Sequence, residues 1–224
     1  YYQDAWGCVW YCAEEGLGGQ VVEHPLEDWG SWAGFTPPDL LQTTRWGECR
    51  EDWDTVKGRI ARDKKRGLLT AARIGCFFDR LHYLRGFENL MIDMATDPPE
   101  LSQLIEMVLN VNMKLFPRLF ELDADIMVHH GDIGTQNSLM MSPQTFRKYL
   151  KPGYKKMFMA CKNAGFPVDY SSDGYLLDII DDLIECGVAV HDPQLGVNTI
   201  EGIAQTYKGR LCAKVDITQD IVHW

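Results

Sequence analysis

Ile126-Met127-Val128-His129-His130-Gly131-Asp132 is a short apolar run that ends at an aspartate, as a buried β-strand followed by a turn would. Three more apolar runs end in the same way, at residues 168–173, 188–192 and 211–216. Segments with helical signals lie between these runs. The resulting order of strand, helix, strand and helix predicts a parallel sheet covered by helices, which is the α/β fold class.

Four aspartates, Asp132, Asp173, Asp192 and Asp216, close these predicted strands. Parallel sheets carry their chemistry at the carboxyl ends of the strands, so the four acids predict an acid-lined pocket. The alternative is that each aspartate caps the next helix or begins a turn. Asp192 best fits this second reading, because Pro193 follows it.

Composition limits the class of protein and its partners. The chain has 224 residues, of which 46% are apolar and 11% aromatic, enough for a globular core. Lys and Arg number 22 against 32 Asp and Glu, for a formal net charge of −10. Nucleic acid and anionic membranes are therefore not expected as partners, because binding phosphate groups requires clustered cations.

The cysteines and the longest apolar runs indicate in which cell compartment the protein is expected. Seven cysteines contain no Cys-x-x-Cys pair, which predicts reduced thiols in a cytoplasmic protein. No apolar run approaches the roughly 20 residues of a membrane span, and no signal peptide is predicted. The chain begins without Met and ends directly after a predicted strand, which indicates part of a longer protein.

Amino-acid composition differs between two parts of the chain, although we predict one domain over residues 1–224. Residues 1–60 form a Trp-rich and Gly-rich covering segment that begins with a hairpin over residues 6–23, and residues 66–224 form the βα units. The early Trp and Tyr residues fit packing, or a lid that stacks on a flat substrate. Periodicity, Pro near helix starts and Gly at helix ends predict helices at 51–65, 77–95, 97–119, 142–163, 176–186 and 199–207.

An ordered set of motifs carries a family resemblance. His130-Gly131-Asp132-Ile133-Gly134-Thr135-Gln136 is followed by motifs at 141–149, 152–156 and 172–174, and by Val215-Asp216-Ile217-Thr218-Gln219. With Trp6-Gly7-Cys8-Val9-Trp10 near the start, the set resembles the uroporphyrinogen decarboxylase superfamily along essentially the whole chain. The resemblance implies a (β/α)8 TIM-type barrel, which this chain would contain without its first strands and its final strand-helix units.

The resemblance is nearer to the cobalamin-linked methyltransferase branch of that superfamily. It implies transfer of a methyl group to or from a corrinoid (cobalamin) that a partner corrinoid-binding protein carries. A small-molecule methyl donor or acceptor would be the other reactant. Dimerisation of identical chains is a further expectation of the resemblance.

Zinc-dependent members of this branch use a His-x-Cys pair where this chain has Ser171 and Asp173. A neutral Ser is a poor zinc ligand, and Asp is harder than a thiolate, so these residues argue against the usual zinc site. Asp173 and His191, with Asp132, form an alternative ligand set for a divalent ion.

Two other functions remain open from the sequence. True uroporphyrinogen decarboxylases of tetrapyrrole synthesis resemble Asp173-Gly174 at this place and need no cofactor, because a carboxylate stabilises a protonated pyrrole ring. The second alternative, from another class, is a non-catalytic barrel that acts as a binding protein.

The strand ends supply the candidate site residues. We predict catalytic roles for Asp132, Asp173 and Asp216, because like-charge repulsion favours keeping a proton on one of several clustered carboxyls. The predicted substrate-binding residues offer imidazole, amide, hydroxyl or guanidinium groups, and they are His130, Gln136, Ser171, His191, Gln194 and Arg73. For the two histidines, a hydrogen-bonded structural role is the competing interpretation.

Overall fold

A computed structural model describes residues 1–13, 19–42 and 52–215. Asp216, one of the three predicted catalytic acids, lies outside these residues. The chain divides into two compact units, Tyr1–Arg62 with Asp79–Asp123, and Asp63–Phe78 with Ala124–Trp224. The single-domain organisation, with residues 1–60 as a covering segment, stays a prediction.

The first unit begins with a small antiparallel sheet of β1 (Tyr2–Gln3), β2 (Val9–Tyr11) and β3 (Gln20–Glu23), in that order, which confirms the predicted hairpin. Asp4 holds its first turn, since Oδ1 accepts hydrogen bonds from the Trp6 and Cys8 amides and Oδ2 from Trp10 Nε1. Arg80 Nη1 lies 2.8 Å from Asp4 Oδ2, and both side chains are buried. This pair gives the amino-terminal Trp-Gly motif a structural role.

Helices make up the rest of the first unit. Short 3₁₀ helices cover Trp29–Gly34 and Leu40–Gln42, and the α-helices are α1 (Trp53–Lys65, which crosses the border between the units), α2 (Phe78–Arg85), α3 (Phe87–Thr96) and α4 (Pro99–Glu121). Helix α4 starts with Pro99, whose fixed φ suits a first turn, as the sequence predicts. Among the described residues, no helix is both long and apolar enough to cross a membrane.

A parallel sheet forms the centre of the second unit. Its strands are β4 (Ala71–Arg73), β5 (Ile126–His130), β6 (Val168–Ser172), β7 (Val188–Pro193) and β8 (Cys212–Ala213). Each strand pairs in parallel with the next, in the order β4-β5-β6-β7-β8. Sequential parallel strands with intervening helices are consecutive units of a (β/α)8 barrel, so the predicted fold class is confirmed.

The helices of this unit are α5 (Pro143–Tyr149), α6 (Lys151–Asn163), α7 (Ile180–Cys186), α8 (Leu195–Asn198) and α9 (Ile200–Tyr207), with a 3₁₀ turn at Leu177–Ile179. The single helix predicted over 142–163 is divided at Leu150, because Pro152 has no amide hydrogen to continue the ladder. Gly187, with φ of 104°, ends α7 as predicted.

Candidate active site at the sheet face

Strand register separates the side chains of the second sheet into two faces. Neighbouring residues of a strand point to opposite faces, whereas paired residues of parallel strands share a face. His130 pairs with Ser171, and Ser171 pairs with Asp192. We call this side, with Arg73, Asp169 and Lys214, the polar sheet face.

The opposite side is covered by helices. His129, Tyr170 and His191 pair across β5, β6 and β7, and their rings stack with centroids 5.5 and 5.8 Å apart. Phe158 of α6 and Tyr207 of α9 pack on this row. In a (β/α)8 barrel the helices lie outside, so the polar sheet face corresponds to the barrel interior at the strands' carboxyl ends, where catalysis takes place.

A cation that follows β8 and two acids from β6 and β7 meet on the polar sheet face. Lys214 Nζ lies 2.9 Å from Asp169 Oδ2 and 3.4 Å from Asp192 Oδ2. Burial works to lower the pKa of the Lys214 ammonium, but the hydrogen bonds and charges of the two carboxylates outweigh it and raise that pKa. Lys214 therefore stays protonated.

His130 is the last residue of β5 and is exposed on the same face. Partial burial lowers the pKa of its imidazole, and the charges of Arg73 and Lys214 lower it further, whereas Asp169 and Asp132 act in the opposite direction. The neutral imidazole, favoured by this balance, can both donate and accept a hydrogen bond. Ser171 lies beside it and is half-buried.

Arg73 ends β4 on the polar sheet face, because it pairs with Val128 and Val128 pairs with Asp169. The sequence left open whether Arg73 points outward, and the register decides it. Arg73 is exposed there. Three of the predicted substrate-binding residues, Arg73, His130 and Ser171, thus share one face.

The loops after β5 and β6 meet at a pair of glycines. A Cβ on Gly174 would lie 2.3 Å from the backbone carbon of Gly134, and Gly174 has φ of +85°, so both features require glycine. Asp132 Oδ1 accepts a hydrogen bond, 2.9 Å long, from the Asp173 amide. This bond joins the loop after β5 to the loop after β6 and brings Asp132 and Asp173 together.

Gln136 and Gln194 also come together at this rim. Gln194 Oε1 accepts hydrogen bonds from Gln136 Nε2 at 3.2 Å and from the Gly174 amide at 2.9 Å. The structure thus brings these two predicted substrate-binding residues together, and their amides connect the loops after β5, β6 and β7.

His191 is where the structure departs most from the sequence-based expectation. It is fully buried on the helix-covered face, where its Nδ1 is 2.7 Å from the Tyr207 hydroxyl. Burial, with the charge of Lys214, lowers the pKa of His191 to about 4. The predicted substrate-binding residue His191 therefore does not lie on the polar sheet face, and its contact with Tyr207 fits the hydrogen-bonded structural role that the sequence also left open.

A one-residue irregularity in the pairing of β6 with β7 explains why His191 lies on the helix-covered face. Val168 pairs with Val188, but Asp169 pairs with Val190, so Ala189 is an extra residue in β7. With unbroken register His191 would pair with Ser171, whereas here Asp192 does. Asp192, predicted to be a simple turn residue, is therefore part of the polar sheet face.

Two residues of the site, Asp169 and Lys214, were not predicted. Asp169 is buried, and among the described residues its Oδ1 has no hydrogen-bond partner. A charged residue inside a strand predicted to be buried was the available signal, because buried acids are rare unless they are paired. In the described part of the chain, no three His, Cys, Asp or Glu side chains lie close enough together to hold a metal ion. The predicted set of Asp132, Asp173 and His191 therefore does not form such a group.

Comparisons with known proteins agree with this fold. The model of the uroporphyrinogen decarboxylase (URO-D) family matches residues 7–206, so the chain belongs to that family, as the motifs predict. A search of curated proteins found no match.

One solved structure with a similar fold is a methyltransferase from Methanosarcina mazei, with 15% sequence identity and a TM-score of 0.68. The alignment covers 94% of this chain and 60% of that chain, so this chain spans 60% of the methyltransferase's length. A dihydropteroate synthase from Yersinia pestis, in complex with a sulfonamide drug, is 14% identical with a TM-score of 0.35, over 50% of this chain and 38% of that one.

Proposed function

We propose that the protein is an enzyme that transfers a methyl group to or from a corrinoid carried on a partner protein. The observation that carries the proposal is the polar sheet face, with its neutral imidazole and its cation, in a URO-D family chain whose fold resembles a methyltransferase. The methyl donor or acceptor is a small molecule bound on that face.

The residues of this chain bind the small molecule and transfer protons to or from it. His130 donates or accepts a hydrogen bond at the reacting group, Ser171 orients it, and Arg73 and Lys214 supply positive charge. Asp132 is the proposed general acid or base at the rim, next to Asp173. The corrinoid, when its own protein brings it to this face, supplies the chemistry of methyl exchange.

Zinc has no place in this proposal. Ser171 and Asp173 stand where the resemblance implies a His and a Cys, and no described cluster of three His, Cys, Asp or Glu residues fits a metal ion. We therefore assign the activation of the substrate to His130, Lys214 and the rim carboxylates.

Decarboxylation of a tetrapyrrole is the second candidate, and Asp169 favours it. Its side chain is only 8% exposed, and Oδ1 has no hydrogen-bond partner among the described residues. A buried carboxylate of this kind would stabilise the positive charge of a protonated pyrrole ring. The name of the matching family model points in the same direction.

One experiment separates the two candidates. The complete protein is incubated with methylcob(III)alamin and candidate acceptors, and separately with uroporphyrinogen, and both reactions are followed by absorbance. We expect demethylation of the corrinoid, slowed roughly 100-fold by His130→Gln, because positioned proton transfer contributes about that much. Lys208→Gln replaces an exposed lysine directly after α9 and serves as the control. Formation of coproporphyrinogen without demethylation would contradict methyl transfer.

A further inference from the structure

Asp132, the proposed general acid or base, lies between two buried residues of the loop after β5. Gly131 and Ile133 on either side of it are buried, whereas Asp132 itself is exposed. Strand β5 ends at His130, so the backbone groups of these residues lie beyond the strand. Buried backbone carbonyls and amides need hydrogen-bond partners, and two side chains of β6 supply them here.

Tyr170 holds the residue before Asp132. Its side chain is fully buried on the helix-covered face of β6, and its hydroxyl donates a hydrogen bond to the Gly131 carbonyl at 2.8 Å. The rings of His129 and His191 lie on either side of the Tyr170 ring, with centroids 5.5 and 5.8 Å away. This packing fixes the place from which the hydroxyl reaches the loop.

Ser172 holds the residue after Asp132. Its buried hydroxyl accepts a hydrogen bond from the Ile133 amide at 3.2 Å and donates one to the Asp173 carbonyl at 3.1 Å. The Asp173 amide in turn donates to Asp132 Oδ1 at 2.9 Å. One hydroxyl therefore connects the backbone next to Asp132 with the residue that its carboxylate contacts.

We propose that Tyr170 and Ser172 are positioning residues that fix the direction of the Asp132 carboxylate. They are alternate residues of β6, so both side chains lie on the side of the sheet opposite to the polar sheet face. Their hydroxyls hold the backbone on both sides of Asp132, and the Asp173 amide holds Oδ1. Among the described residues Asp132 Oδ2 accepts no hydrogen bond, so this oxygen is available to exchange a proton.

Positioning of this kind affects the rate of proton transfer. A general acid or base must lie within hydrogen-bond reach of the group that reacts, and a misplacement of roughly 1 Å can cost about 100-fold in rate. The catalytic importance of Tyr170 and Ser172 rests on the proposed function, in which Asp132 is the general acid or base. The hydrogen bonds that hold Asp132 do not depend on it.

Backbone hydrogen bonds keep the loop attached to β6 when either hydroxyl is removed. The Gly131 amide donates to the Ser171 carbonyl at 3.1 Å, and the Tyr175 amide donates to the Thr135 carbonyl at 2.8 Å. Substitutions that remove only a hydroxyl should therefore leave the protein folded and shift only the segment between these two bonds.

Amide hydrogen exchange of the complete protein, measured by NMR, tests the positioning without any assay of activity. The Asp173 amide is the reporter, because its acceptor, Asp132 Oδ1, is part of neither substituted residue. We expect Tyr170→Phe and Ser172→Ala each to speed its exchange about tenfold, the size of one weakened hydrogen bond.

Tyr207→Phe is the matched control for the exchange measurement. It removes a buried tyrosine hydroxyl from the same helix-covered face, where that hydroxyl contacts His191 and not the loop after β5. Exchange of the Asp173 amide should be unchanged in this variant. Unchanged exchange in both Tyr170→Phe and Ser172→Ala would overturn the positioning role.

The methylcob(III)alamin assay distinguishes positioning from packing. Tyr170→Phe should lower kcat about tenfold and leave KM within about twofold, because its hydroxyl does not lie on the polar sheet face. In an Asp132→Asn background the same substitution should lower kcat no further, since there is no carboxylate left to position. An equal loss of kcat in both backgrounds would overturn the role.

The positioning role and the proposed function can fail separately. Faster exchange of the Asp173 amide in variants of a protein that transfers no methyl group would support the positioning of Asp132 and overturn the proposed function. Methyl transfer that is insensitive to both Tyr170→Phe and Ser172→Ala would support the function and overturn the positioning role.

Discussion

His129 and His130 are consecutive in β5, yet His129 is fully buried against α6 whereas His130 is exposed on the polar sheet face. Burial lowers the pKa of His129 to about 3. The same contrast recurs in β7, where His191 is buried and Asp192 lies near Lys214. One side of this sheet therefore packs against helices and the other presents polar side chains, and consecutive residues of a strand alternate between the two sides.

The largest effect is expected from a cavity on the helix-covered face. Phe158 is fully buried and packs against His129 and Tyr154, with ring centroids 5.4 and 5.3 Å apart. Phe158→Ala should lower the free energy of unfolding by about 3–5 kcal/mol, measured by urea denaturation. Ser171→Ala on the polar sheet face is the control and should stay within about 0.5 kcal/mol. Similar losses in both variants would remove the contrast between the faces.

The next prediction concerns the pH dependence of stability. The unfolded chain protonates His129 near its ordinary pKa of about 6.5, whereas the folded chain holds the pKa at about 3. Its contribution to stability is thus complete above pH 6.5 and is lost as the pH falls toward 3, by at most about 1.4 kcal/mol per pH unit. His129→Phe should flatten that slope between about pH 6 and pH 4, measured by urea denaturation at each pH.

His130→Phe provides the comparison for this measurement. The pKa of His130 is also lowered, but the side chain is exposed, so the variant should flatten the slope less. An equal effect of the two variants would mean that burial does not distinguish the two histidines.

The smallest effect should come from the ion pair between Lys214 and Asp169. A double-mutant cycle with Lys214→Met and Asp169→Asn should give a coupling energy of roughly 1 kcal/mol, because the half-exposed lysine is screened by water. Lys208→Met with Asp169→Asn is the matched cycle and should be additive. Zero coupling in the first cycle would indicate that Asp169 does not hold Lys214.

Much of the fold could be predicted because its signals are local. Pro99 marks the start of α4, Gly187 the end of α7, and short apolar runs mark β5, β6 and β7. The break at Leu150 was missed, although Pro152 was the available signal. The ordered motifs identified the family. The location of the site at the carboxyl ends of the strands stays a prediction.

The candidate site was predicted only in part. His130, Ser171 and Arg73 share a face as a strand-end argument suggests, but the pairing of Asp169 with Lys214, 45 positions apart, has no local signal. The bridge depends on three strands lying side by side, which no single segment encodes.

By itself, the sequence determined the class of fold, the family and the strand ends at which chemistry is expected, because hydrophobic period and turn residues act over a few positions. Only the tertiary structure decided which side of the sheet each residue faces. The extra residue Ala189 shifts the register of β7, so Asp192 joins Ser171 and Lys214 while His191 is buried beneath α9. A shift of one residue reverses the faces because side chains alternate with a period of two.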